Sequence, residues 1–248
     1  LLYPERIFVD AGAMFVRCGL LLFVYANVYQ LSGGNINGTT FPVAAWSMFL
    51  YFSLMLLRTR TLGKEITADI QSGRIELLLT KPVNYLSFKI YQHIGEGLHA
   101  FTLVSLLSSI VLCATVGVPQ TMQTFFFAGS ALLAFAFGLI LSYIIFALVG
   151  VAAFFIEDTA GIQMIVDKTI MTLGGSYLPV AFFPPVMRAL AEYSPFGATY
   201  FITHTVYADW IEKAPLLLSL QIFWIITLGG ALILLYRIAK QKLSVNGG

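Results

Sequence analysis

The chain has 248 residues, of which 58% are hydrophobic and only 10% charged, where a soluble domain carries about 25% charge. Its apolar runs are about 20 residues long and lack two-residue alternation, which excludes a membrane barrel and leaves an all-α integral membrane protein. A net charge of +2 says little about partners, and no nucleic-acid partner is expected.

The sequence opens at Leu1 without a Met, so a longer native start is expected. No cleavable signal is read, because the first apolar run leads into another span and not into a small-residue cleavage site. Span one covers about 13–32. Glu5, Arg6 and Asp10 precede it as a short interfacial segment, and Arg17 can snorkel from its first turn. A Gly/Asn/Thr turn occupies 32–40, and span two runs over about 41–58, ending on Arg58 and Arg60. The polar segment 59–91 follows, then span three at about 94–117, stopped by Gly117 and Pro119. Cys18 and Cys113 fall in expected spans and read as packing residues, with neither disulfide nor metal spacing.

Span four, about 123–156, would measure roughly 50 Å as a helix and must tilt or project beyond a core of about 30 Å. Ser130, Ala134, Gly138 and Ser142 put a small residue at every fourth position, a stripe that allows close helix packing within the subunit or at a subunit interface. Glu157 and Asp158 make a charged turn before span five, about 160–178. Residues 179–198 are apolar but broken by Pro179, Pro184, Pro185 and Pro195. So short and broken a run predicts a re-entrant or interfacial helical hairpin. Span six covers about 215–236, with Arg237, Lys240 and Lys242 after it. The result is one membrane domain of six spans.

With six spans, both termini and the 59–91 loop share a side. That side holds Arg6, Arg58, Arg60, Lys64, Arg74, Lys81, Lys89, Arg237, Lys240 and Lys242; the other holds Arg188 and Lys213. Ten against two places termini and loop in the cytoplasm of a multi-pass protein of the cell membrane.

In the loop, Glu65, Asp69, Arg74 and Glu76 alternate with Ile66, Ile70, Ile75 and Leu77 to Leu79. A helix here would carry one apolar and one charged stripe. Gly73 should break or bend it and Lys81-Pro82 should end it. Such a helix can lie on anionic lipid or dock on a protein.

The run Ser72-Gly73-Arg74-Ile75-Glu76-Leu77-Leu78-Leu79-Thr80-Lys81-Pro82-Val83 resembles the "G-x-[LI]-[ED]-x-L-L-x-[RK]-P-[VI]" segment of exporter-class, type-2 ABC transporter permeases. Leu178-Pro179-Val180-Ala181-Phe182-Phe183-Pro184, then Arg188, then Ser194-Pro195-Phe196, is similar to the "P-x-x-x-F-P…P-F" segment of one bacterial branch of that family. The resemblance implies a permease that works as a homodimer or with a related permease. It would dock on separate cytosolic ATPase subunits through the helix between spans two and three, the coupling contact falling on Ile70, Arg74, Ile75, Glu76, Leu77, Leu78 and Thr80. Phe182, Phe183, Pro184, Pro195 and Phe196 would form an extracellular gate. The chain has no G-x-x-x-x-G-K-[ST] loop, since Gly63-Lys64 is followed by Glu65 and lacks the upstream glycine. No cofactor is then bound directly; ATP and magnesium belong to the partner, and the chain is not an enzyme by itself.

Asp167 and Lys168, near the middle of span five, are costly in lipid unless paired or hydrated. They line a hydrated translocation path or pair with another span, for example through Glu96. His93, Glu96 and His99 form H-x-x-E-x-x-H, which drifts around the helix and lacks further ligands, so no metal is expected. Tyr193, Phe196, Tyr200, Phe201, Tyr207 and Trp210 are read as an interfacial aromatic belt. A membrane anchor that recruits a partner without transport, or an intramembrane enzyme, are the other function classes. The enzyme lacks a complete catalytic set.

Overall fold

The computed structural model describes residues 4–156 and 158–246. The side chains of Glu5, Arg6, Asp10, Arg17 and Lys242, and the whole of Glu157, lie outside the described residues.

Among the described residues the regular elements are helices apart from one small hairpin. Helix α1 is Pro4–Leu31. Strands β1 (Asn35–Ile36) and β2 (Thr39–Thr40) pair antiparallel, Asn35 opposite Thr40. The turn between them holds Asn37 at φ 50° and Gly38 at φ 78°, the left-handed pair that Asn-Gly favours in two-residue hairpins. Helix α2 is Phe41–Met55 and α3 is Thr59–Gln71. Between them Arg58 sits at φ 56°, an unusual left-handed non-glycine residue. Gly73, at φ 70°, separates α3 from α4 (Arg74–Leu79), so the expected break falls on the glycine. Thr80 closes α4 just ahead of Lys81-Pro82.

Helix α5, Tyr85–Thr115, starts well before the expected position 94. Asn84 caps it by accepting from the Ser87 N–H at 3.2 Å, and its polar first turns are held by partners on α3. Helix α6 is Phe125–Val151, tightening into a 3₁₀ turn at Ala152–Phe154. Helix α7, Ala160–Leu173, has 14 residues. Helices α8 (Pro185–Tyr193) and α9 (Pro195–Ala198) and a 3₁₀ segment (Phe201–Val206) occupy the proline-broken region. Helix α10, Trp210–Asn246, carries Pro215 inside it and begins a turn earlier than expected.

Among the described residues, four stretches are long and apolar enough to cross a membrane: Phe41–Gln71, Tyr85–Thr115, Phe125–Phe154 and Trp210–Gln241. Cys18–Leu31 is apolar but shorter. At 1.5 Å per residue α7 measures about 21 Å, less than the hydrocarbon core of about 30 Å.

Helix α6 lies at the centre, packed against α3 and α10. Its small-residue stripe is used inside the subunit. Ser130 accepts from Trp210 Nε1 at 2.8 Å, and Ser142 donates to Thr59 Oγ1 at 2.9 Å. Gly138 leaves its Cβ space to the Thr199 backbone. Further along, Gly150 faces α3 so closely that a Cβ would lie 2.7 Å from Ile66 Cβ and 3.0 Å from the Gly63 carbonyl. The α2–α3 junction is received the same way by α5, where a Cβ on Gly97 would meet Leu57 Cα at 2.7 Å.

One apolar core joins α1, α2, α6, α9 and α10 around Tyr51, Phe52, Phe146, Tyr200 and Phe201. A second, at the α4 end, gathers Leu62, Ile66, Ile75, Tyr85, Tyr143 and Tyr236. The aromatic-belt expectation is overturned for Tyr200, Phe201 and Trp210, which are buried in the first core. Tyr200 stacks on Tyr51 with ring centroids 4.1 Å apart. Proline-broken backbone needs protein partners, and these residues supply them. Tyr193 alone of the set keeps a largely exposed ring.

Candidate functional site

Two neighbouring features bring charged side chains together: the elbow formed by α3, α4 and the start of α5, and a cleft between α3 and α7.

In the elbow, Glu65 and Asp69 lie four residues apart on α3, and Tyr85, Lys89 and His93 recur every four on α5, so each set lies along one helix face. The faces meet. Lys89 Nζ lies 2.7 Å from Asp69 Oδ2 and 3.6 Å from Glu65 Oε2. Tyr85 donates its hydroxyl to Asp69 Oδ2 at 2.8 Å. His93 Nε2 is 3.2 Å from Glu65 Oε2, and its Nδ1 is 3.3 Å from Thr61 Oγ1. Such a network fixes the angle between two helices, because every member left unpaired would be costly in this buried setting. Glu65 and Asp69 therefore belong to the interior joint, not to an outward charged stripe. Arg74 Nε, at 4.0 Å from Asp69 Oδ1, only brushes this network and is itself largely exposed.

Helix α4 is pinned by Ile75, which is buried in the second core. Ile70, Leu78 and Leu79 pack against the same core while half-buried. Arg74, Glu76, Leu77 and Thr80 face outward, Leu77 with 72% of its surface exposed. The expected coupling residues thus divide between an anchoring set (Ile70, Ile75, Leu78) and a presented set (Arg74, Glu76, Leu77, Thr80).

In the cleft, Arg60, Lys64, Thr67, Ala68 and Gln71 of α3 face Ala160, Gln163, Met164, Asp167 and Lys168 of α7 across a cavity of ≈ 700 Å³. Arg60 Nε pairs with Asp167 Oδ1 at 2.9 Å, and the same guanidinium donates to the Tyr51 hydroxyl at 2.7 Å. Thr67 and Thr159 share a hydrogen bond of 2.8 Å, and Gln163 Nε2 donates to Thr67 at 3.2 Å. Asp167 and Lys168 have different surroundings: Asp167 is tied to α3, whereas Lys168 is exposed. Glu96, considered above as a partner for span five, pairs instead with Arg58 at 3.7 Å.

The remaining motifs disperse. His93 is buried in the elbow, Glu96 turns to Arg58 and Gln92, and His99 is exposed. Among the described residues no three His, Cys, Asp or Glu side chains converge as metal ligands. Of the expected gate residues, Phe183 is buried and Phe182 packs on Tyr29, with centroids 5.9 Å apart. Phe182, Phe183 and Pro184 line a hollow with Arg188 and Glu192 that Pro195 and Phe196 do not share. Nearby, Lys213 meets Glu192 at 2.7 Å and Asp209 at 3.1 Å. Burial between Phe201 and Tyr207 pushes the His204 imidazole down to about 4.

Sequence reasoning missed Tyr85, Lys89 and Arg60 as internal partners. The signal was there for the elbow: acids at an i,i+4 spacing on one helix, bases at the same spacing on the next. The Arg60–Asp167 pair left no local trace.

A family model described as ABC-2 family transporter protein matches residues 13–246. No curated protein matches the chain. The family match covers almost the whole chain and agrees with its long apolar helices, so the chain belongs to the ABC-2 family of transporters, as a multi-pass permease of the type-2 ABC class.

Proposed function

We propose that this permease and a second one, a copy or a relative, form the membrane path of an ATP-driven exporter whose ATPases are separate cytosolic subunits. The observation that carries the reading is the build of α4. Ile75 locks the helix inward, Arg74, Glu76, Leu77 and Thr80 are left outside, and the Lys89–Asp69 pair ties the elbow to α5. A rigidly held helix with an exposed leucine among charges suits a surface that a partner covers and pushes on.

Force applied to α4 would pass through the elbow to α5 and, through the close Gly63–Gly150 contact, to α6. ATP and magnesium act on the partner, since this chain has no phosphate loop. The ten-to-two basic asymmetry supports a cytoplasmic side for α4 and both termini. In the six-crossing scheme, α7 completes its crossing together with residues 174–178, and 179–198 form the outer hairpin. The cleft holding Asp167 and Lys168 opens on the translocation path, and the hollow of Phe182, Phe183 and Pro184, with Pro195 and Phe196 behind it, closes the far end.

The test is co-purification with the partner ATPase and export from proteoliposomes. Glu76→Arg and Leu77→Asp should each weaken ATPase binding about tenfold while leaving expression unchanged. Full binding and full export in both variants would overturn the docking assignment. ATP hydrolysis by the wild-type complex that is indifferent to reconstitution, with no export, would make the chain a membrane anchor instead.

A further inference from the structure

The α3–α7 cleft carries cations that its own carboxylates do not meet. Its charged lining is Arg60, Lys64, Asp158, Asp167 and Lys168. Asp167 is held by Arg60. Asp158 accepts from the Ala160 N–H at 2.8 Å at the start of α7. Among the described residues, neither Lys64 nor Lys168 has a carboxylate in ion-pair range; the ammonium of Lys168 lies 3.9 Å from the thioether of Met171, a weak acceptor. Two lysines from different helices therefore share one cavity of ≈ 700 Å³ while, among the described residues, neither has a carboxylate in ion-pair range. That volume suits a head group better than a single small ion.

The surface beside the cleft is apolar. On α7, Ile162, Met164 and Ile165 are 39%, 61% and 65% exposed. An exposed apolar face of this kind can take up a hydrocarbon chain. An occupant with its anion on Lys64 and Lys168 would lay its remaining length against this face. The neighbouring hydroxyls are taken, since Thr67 and Thr159 bond each other and Thr61 donates to the Arg58 carbonyl at 2.7 Å. Recognition then rests on charge. Basic pockets between membrane helices favour anionic lipid head groups.

We propose that the α3–α7 cleft binds a phosphate-bearing anionic amphiphile from the adjoining leaflet, its phosphate between Lys64 and Lys168 and its chain along α7. The inference takes from the proposed function only the placing of this cleft beside the path, which makes that class of molecule the candidate cargo.

The experiment uses the full chain in nanodiscs of phosphatidylcholine doped with phosphatidylglycerol, released into native mass spectrometry. The wild type should retain phosphatidylglycerol selectively. Lys64→Gln and Lys168→Gln should each lower that retention about fivefold, the equivalent of about 1 kcal/mol per lysine. The control Lys81→Gln, on the exposed turn after α4, should not change it. Equal retention in the wild type and the double variant, or an equal loss in the control, overturns the proposal. Displacement of the lipid by inorganic phosphate supports a site that reads the phosphate itself. Binding of inorganic phosphate without lipid retention overturns the amphiphile. The double variant leaves α4 untouched and should still co-purify with the ATPase. Lost lipid selectivity with docking intact therefore speaks to the cleft alone, and lost docking with selectivity intact to α4 alone.

Discussion

Lys89 Nζ and Asp69 Oδ2 stand 2.7 Å apart with both side chains only 7% exposed, joining the first turns of α5 to the last turn of α3. The pair sets the angle at which α4 leaves the bundle. Removing one partner strands the other, so Lys89→Met should destabilise the protein by about 3–5 kcal/mol. Adding Asp69→Asn to it should recover part of that loss, because no buried charge is then left alone. Thermal unfolding of the four members of this cycle in detergent checks it. Strict additivity of the two single losses would mean that the pair does not hold the joint.

Helix α3 can approach α6 only because two glycines lie in the contact. Gly150→Ala would put a methyl group 2.7 Å from Ile66 Cβ, and the enforced shift should cost about 1–3 kcal/mol. Gly161→Ala, near the start of α7, meets nothing within 4 Å. It should be neutral or stabilise by up to about 1 kcal/mol through helix propensity. Melting temperatures of the two variants should move in opposite directions or differ clearly in size.

The buried His204 makes stability depend on pH. Its folded pKa is lowered to about 4 by burial, against about 6.5 in an unfolded chain. Between those values only the unfolded chain takes up the proton. Stability should hold above about pH 6.5 and fall as pH drops toward 4, by roughly 3 kcal/mol in all. The charged groups nearest it, Glu192, Lys213, Asp209 and Arg188, oppose one another in sign. Thermal unfolding across that window should lose this component in His204→Phe. An unchanged pH profile would assign the acid sensitivity elsewhere.

Sidedness is open to cysteine labelling once Cys18 and Cys113 are replaced by Ala. Single cysteines at Thr80 and Gln241, both exposed, should react with an impermeant reagent only from the cytoplasmic side. Ala208, exposed before α10, should react only from outside. Ala214, two turns inward of it in sequence, is fully buried and would report nothing. Labelling of position 80 in intact cells would reverse the orientation.

The parts of this fold that could be read in advance are those with a local cause. Gly73 announced the break between α3 and α4 because a left-handed turn favours glycine there. Lys81-Pro82 announced the end of α4. The small residues of α6 announced close packing, and the structure spends it inside the subunit on Trp210, Thr199 and Thr59. Pairings between distant segments were not legible. Nothing near Asp167 in sequence points to Arg60, and hydrophobic periodicity is blind to which aromatic faces lipid and which faces protein. Tyr200 and Phe201 therefore looked like an interfacial belt while serving as core. Within α4, the charged positions were found, but the division between Ile75 inside and Leu77 outside depends on where α5 and α10 pack.

Helix α7 has a consequence for how the chain is assembled. After its 14 residues the backbone leaves the regular helix, and carbonyls buried away from water there need partners. Other segments take over. Tyr25 of α1 donates to the Tyr177 carbonyl. Gln221 of α10, fully buried, donates to the carbonyls of Ala198 at 2.8 Å and Ala134 at 3.2 Å. Trp224 reaches the Tyr193 carbonyl at 3.1 Å. Tyr25 is in place early, but Gln221 and Trp224, the other two donors to 174–198, are synthesised last. During biogenesis this segment must wait for α10 before it can settle, and a ribosome stalled before residue 221 would leave it exposed to quality-control proteolysis.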